Sequence, residues 1–387
     1  MTSYSAPLEA DSATWATPPY HRHGLNRVDN LIPCAEIAKG DGDERSLQTV
    51  NDQDWWASLQ VPSEEGALVG AAEFLDLTRT DSIIVLQGEK ILHEEYRGAS
   101  AANSRHIVMS ISKSFCGMLA GILVSEGVLS VADVVSTIVP ELKGTSFGSA
   151  SVRHLLDMSA APKYDMTYLD TRSEVNAADR AAGWRPRLVG DARGTREFLT
   201  NLEGNGRHGA QFQYCSGTTD VLAWVLERAA GEKYSQLLET RIWSRLGAEA
   251  NAYITVDAHG DPYACAGMGM RLRDLARFGL LLLGGGRYAD DTVVPLSWID
   301  QTRGGGDFPN GNLGAPGTYR NQWWVPADRS SFYAVGIYGQ YLWLDPKNNV
   351  VIAKFSSCDS PVDHRPDHEP ALGAIAQAVA PVSGVKG

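Results

Sequence analysis

Cysteine is scarce in this chain: Cys34, Cys116, Cys215, Cys265 and Cys358 are five scattered residues in 387, an odd number with no Cys-x-x-Cys pair. That spacing excludes a disulfide framework and a zinc-ribbon ligand set, and it predicts reduced thiols. Positive charge is in deficit as well, with 34 Lys and Arg against 46 Asp and Glu and a net charge of −12. An acidic surface of this kind excludes nucleic acid and anionic membrane surfaces as natural partners and favours a small neutral or cationic molecule. Long apolar runs are missing too, none reaching the ~18 residues of a membrane span. The first residues have neither a basic stretch nor an apolar core, so a soluble, cytoplasmic protein is expected. No repeat or low-complexity tract is present.

What is there supports a large core, since 43% of the 387 residues are hydrophobic, and the length exceeds one typical domain. Pro18-Pro19 and Gly40-Asp41-Gly42-Asp43 break residues 1–60 into what reads as an extended surface arm. Asp81–Leu86 and Lys90–Tyr96 flank Gln87-Gly88-Glu89 as a β-hairpin. Helix periodicity follows in Val152–Met158, in Asp220–Arg228 with its stop at Gly231, and in Arg273–Leu283 with its stop at Gly284-Gly285-Gly286. Strands return at Gln340–Leu344 and Val350–Phe355 around a turn at Asp345-Pro346-Lys347-Asn348-Asn349. Strands at both ends of the chain with helices between them predict a discontinuous α/β lobe, 61–127 with 266–387, and a mostly helical lobe at 128–265.

The chemistry centres on Ser110-Ile111-Ser112-Lys113, which precedes the apolar run Phe115–Val124. On a helix, residues three apart share a face, so Lys113 would stand beside the Ser110 hydroxyl as a base beside a nucleophile. Burial and the positive end of the helix dipole would both push that Lys towards its neutral form. The bland reading of Ser110 is a helix N-cap. Ser383-Gly384-Val385-Lys386 repeats the pattern among Pro381, Gly384 and Gly387, where no helix is expected and no function is read. Gly144-Thr145-Ser146-Phe147-Gly148 matches a nucleophile elbow, but Pro140 stands where the required strand should run. His364 and His368 have metal-pair spacing, yet Pro361, Pro366 and Pro370 surround them, so loop histidines are expected; His21 and His23 beside Pro18-Pro19 are read likewise. No metal and no cofactor is predicted.

Two further segments complete a constellation. Tyr214-Cys215-Ser216 stands just ahead of the Asp220 helix. Tyr214 is either a half-buried core tyrosine or a phenol that shuttles the Ser110 proton. Gly336-Ile337-Tyr338-Gly339-Gln340-Tyr341 opens a strand with two glycines, as a bulged edge or as a source of exposed N–H groups for an oxyanion.

Ser110-x-x-Lys113, Tyr214-x-Ser216 and Tyr338-Gly339-Gln340, in this order, resemble the three signatures of the penicillin-recognising serine hydrolases, in their class C β-lactamase-like branch. The wording of Met109–Gly117, Phe212–Ser216, Asp220–Trp224, Arg273–Arg277 and Gly339–Pro346 is similar to the linear-amide hydrolases of that branch, and the likeness spans about residues 80–357. The resemblance implies an α+β fold with an antiparallel sheet flanked by helices, an inserted all-α lobe, and an active-site cleft between them. It implies Ser110 as nucleophile, Lys113 and Tyr214 as managers of its proton, and the N–H groups of Ser110 and Tyr341 as oxyanion donors. Substrate contacts would come from Tyr168, from Asp179 facing an ammonium group, and from Trp184 as a mobile wall. Cys265, Tyr338 and Gln340 complete that set, with Cys265 and Tyr338 departing from the residues common in relatives. The expected activity is hydrolysis of short linear amides or esters through an acyl-enzyme. A carboxylesterase without useful amidase activity, an acyltransferase and a silent binding protein are the alternatives, and a homodimer is compatible with each.

Overall fold

The computed structural model describes residues 10–379 apart from 51–52, 64–65, 312, 314–315 and 363–364, and the side chains of 365–367 also lie outside it. The tail copy of the Ser-x-x-Lys pattern and His364 therefore fall outside the described residues. An eight-stranded sheet dominates, in the spatial order Gly317–Arg320, Trp323–Pro326, Phe332–Gly336, Gln340–Asp345, Val350–Ser356, Thr80–Gln87, Lys90–Tyr96 and Gln48–Thr49. Its strands pair antiparallel except for the last, which lies parallel to Lys90–Tyr96. Val350–Ser356 against Thr80–Gln87 joins the two ends of the chain, and both strands are buried on each face, which is why they read as continuous apolar runs.

Apolar side chains all round predict a central helix, and Ile111–Ser125 is buried from Ile111 to Leu123. It packs against the helix Ser216–Ala230, which ends as expected with Gly231 left-handed at φ 71°. A Cβ on Gly117 would lie 2.0 Å from the Asn321 carbonyl oxygen, so the Ser110 helix seats directly on that turn. Ser114 Oγ donates to the Gln322 carbonyl there at 2.8 Å.

Three expectations change. The N-terminal segment is not a surface arm throughout: Trp15, Leu25, Val28 and Ile37 are buried in the core, and Cys34–Ile37 joins a second sheet with Ala252–Thr255, Met268–Met270 and His106–Ile107. His368 is not on a loop but in the helix Arg365–Ala378, fully buried. Pro370 removes one N–H from that helix, but Ala371, Leu372, Ile375 and Ala376 are buried against the sheet and hold it in place. His21 opens a short helix, His21–Gly24, and is buried with Nε2 between the carbonyls of Ser357 and Cys358.

Candidate active site

Ser110 occupies the N-cap position of its helix but makes no side-chain cap bond, so the bland reading fails. Its Oγ instead accepts a hydrogen bond from Lys113 Nζ at 2.9 Å. Met109, immediately before it, is held at φ 51°, a left-handed conformation that a side chain rarely adopts. Ser112 braces this bend by donating to the Met109 carbonyl at 2.7 Å and accepting from the Met268 N–H at 3.1 Å.

Lys113 is 1% exposed, and its remaining two protons go to Ser216 Oγ at 3.3 Å and the Cys265 carbonyl at 2.8 Å. Burial pulls the ammonium towards neutrality, as the sequence suggested, but the polar shell of Tyr214, Cys265 and Asp220 around it outweighs burial. Its net shift is upward, so Lys113 is an ammonium at neutral pH. Asp220 is part of the same device: burial pushes its carboxyl up to about 7, against the pull of the Cys265 N–H that it accepts at 2.9 Å. The Tyr214 ring lies over this ammonium, 5.2 Å from Nζ, and stacks at 5.5 Å on Trp324.

Tyr341 does not reach the site. It lies in an interior strand, paired with Val335 and Lys354, so its N–H belongs to the ladder, and its ring stacks on His368 at 5.0 Å. Gly336 and Ile337 are the residues of this segment that line the cavity with Ser110. Neither the Ser110 nor the Ile337 N–H donates to any described group. Gly336 passes so close to the nucleophile's turn that a Cβ there would lie 2.8 Å from Met109 Cβ. Gln340 is likewise a bracket rather than a substrate contact. Fully buried, it donates to the carbonyls of Ile337 at 3.1 Å and Ser356 at 2.7 Å and accepts from the Ser356 N–H at 3.1 Å. Lys354, which donates to Ser356 Oγ and lies 2.9 Å from His368 Nε2, extends this bracket and went unread in the sequence. Burial draws its amine down to about 7.

The remaining candidates divide. Tyr168 and Tyr214 line the same cavity as Ser110. Asp179 is 8% exposed and both its oxygens are engaged, one by Tyr263 Oη at 2.9 Å and the other by Arg185 Nε at 3.1 Å. Trp184 donates to Thr255 Oγ1 at 3.0 Å, with its ring between Trp15 and Tyr263. Cys265 is buried and serves Lys113 through its backbone, while burial and Asp220 keep its thiol protonated. Tyr338, at φ 65°, turns its hydroxyl away to the Ala16 carbonyl at 2.8 Å.

The cavity measures about 1210 Å³ and carries Ser110 on its wall. Among the described residues no group of three His, Cys, Asp or Glu side chains could hold a metal, and no helix is long and apolar enough to cross a membrane. A nucleophile held by an ammonium, a phenol beside it and two unpartnered N–H groups is an arrangement suited to acyl transfer.

Comparisons with known proteins show the family and the fold. A model of the Beta-lactamase family matches residues 64–377. The chain is 39% identical over 361 residues to a 6-aminohexanoate-dimer hydrolase of Paenarthrobacter ureafaciens, covering 90% of this chain and 88% of that one. A solved Bacillus anthracis structure given the same dimer-hydrolase designation superposes with a TM-score of 0.85 at 26% identity, over 97% of both chains. EstCE1, described as a hydrolase with promiscuous acyltransferase activity, shares the fold with a TM-score of 0.63 at 16% identity, over 80% of this chain and 96% of its own.

Proposed function

Since the chain belongs to the Beta-lactamase family of serine hydrolases, we propose that it cleaves short linear amides and esters through an acyl-enzyme on Ser110. The observation that carries this reading is the 2.9 Å hydrogen bond from the buried Lys113 ammonium to Ser110 Oγ on the cavity wall. Ser110 Oγ attacks the carbonyl carbon. Lys113, held as an ammonium, steadies the oxygen as negative charge grows. Tyr214 takes the Ser110 proton as it passes its own hydroxyl proton to the leaving amine or alcohol. The Ser110 and Ile337 N–H groups hold the oxyanion, and water then releases the acyl group.

Carboxylesterase activity alone is the second reading, and the Asp179–Arg185 pair favours it. The 39%-identical relative is named for a linear amide, and an ammonium end on such a substrate would have to displace Arg185 to reach Asp179. Intact-protein mass spectrometry after mixing with p-nitrophenyl acetate, with release assays on that ester and on the linear 6-aminohexanoate dimer, tests both readings. An acetyl adduct on the Ser110 peptide with turnover of both substrates is the expected result. An adduct with ester turnover alone selects the second reading, and no adduct with no turnover removes both.

If Gln340 aims the Ile337 N–H, Gln340→Met should lower ester kcat by roughly tenfold, a fraction of the ~10²–10³ lost when an oxyanion donor is removed outright. KM should change little. Orphaning the Ser356 and Ile337 backbone groups should also lower stability by about 2–4 kcal/mol. Denaturant melts and steady-state kinetics check the two effects, and an unchanged kcat in the folded variant would remove Gln340 from the oxyanion argument.

A further inference from the structure

The cavity of about 1210 Å³ is larger than the reacting groups need and exceeds the usual 300–1,000 Å³ of small-molecule sites. It continues from Ser110 along the sheet, where Val335, Trp324 and Trp343 line it, to the helix Arg365–Ala378. That helix contributes Glu369, Pro370, Gly373, Ala374 and Gln377, one face at steps of four, over about 12 Å of helix axis. The two smallest side chains, Gly373 and Ala374, lie in the middle of this face. A Cβ on Gly373 would meet Trp343 Cζ2 at 3.6 Å, ordinary contact, so a methyl fits and anything larger enters the trough. The Trp343 ring stacks on Tyr333 at 4.7 Å and forms a fixed flat wall.

Charge on the lining narrows the occupant. Asp165, Asp328 and Glu369 are its ionisable acids, and among the described residues no Lys, Arg or His lines it. An acyl chain ending in a free carboxylate would find no counter-charge here, and burying that carboxylate unpaired would be costly. Between those acids the lining is Val335, Trp343, Gly373 and Ala374, which suits a hydrocarbon chain.

We propose that this groove binds the acyl chain of medium-length esters, about eight to ten carbons, running from the Ser110 carbonyl over Val335 and Trp343 to Gly373 and Ala374. The proposal rests on the serine-hydrolase reading above. For wild type, kcat/KM on p-nitrophenyl esters should rise from acetate to octanoate by roughly two- to fourfold per methylene buried. Gly373→Leu, a change that favours the helix, should fill the trough and cut the octanoate-to-acetate ratio of kcat/KM at least tenfold. A wild-type series that falls beyond butanoate, or a folded Gly373→Leu protein with the wild-type ratio, would overturn the proposal, including the case in which a segment of another protein covers the groove. The wild-type series decides the matter even if the variant does not fold. Failure of the serine-hydrolase reading is distinct, because no ester of any length would then turn over.

Discussion

Ser110→Ala is expected to lose ester turnover by about 10⁴-fold or more, the scale seen when a nucleophile is removed from a covalent mechanism. No acyl adduct should form. The same substitution should leave the fold almost untouched. Replacing an N-cap serine ordinarily costs about 0.5–2 kcal/mol because a cap bond is lost, but Ser110 makes no such bond. Lys113 loses one acceptor and keeps Ser216 Oγ and the Cys265 carbonyl. Stability within about 1 kcal/mol of wild type is therefore the expected result. Thermal melts beside ester kinetics separate the two quantities, and a folded variant retaining even one per cent of wild-type turnover would exclude Ser110 as the nucleophile.

Lys113→Met is expected to lower ester kcat by about 10²–10⁴-fold. Methionine approximates the length of the stem without the charge, so the loss reports the ammonium rather than the packing. The pH dependence distinguishes this role from a neutral base. Lys113 is shifted upward in the folded protein, so the stability that its charge contributes is fully present below the unfolded lysine value near 10.5 and fades only as pH rises through the higher folded value. Raising the pH from 7 to 9 should then neither restore the variant nor boost wild type through lysine deprotonation. Asp220, already at about 7 with Lys113 holding it down, should climb further and carry a proton at neutral pH in the variant. A kcat ratio that closes towards pH 9 would instead identify neutral Lys113 as the base.

Local patterning announced much of this architecture. The helix after Ser110, the Asp220 helix with its glycine stop and the strand pair around Asp345–Asn349 all appear where apolar period and turn residues placed them. The helix Arg365–Ala378 did not, because its prolines outvoted a buried face that only the sheet supplies. At the site, the i, i+3 spacing alone sufficed to place Lys113 against Ser110. The cavity-lining Gly336 and Ile337 went unread in favour of Tyr341, since a glycine-flanked strand start shows that an N–H is exposed somewhere nearby without saying where the ladder begins. Gly336 beside Met109 was the usable signal.

What the sequence determined by itself is therefore what depends on neighbours along the chain: the helix that carries Ser110 and Lys113, the strands that flank it, and the net acidic charge. Only the tertiary structure decided what depends on residues far apart in sequence. Lys113 is an ammonium because Tyr214, Asp220 and the Cys265 segment surround it, against the neutral form that helix position and burial alone would favour. Asp179 is paired because Arg185 and Tyr263 converge on it. Charge state is set by the whole shell of neighbours, since the Coulomb terms that oppose desolvation act through space.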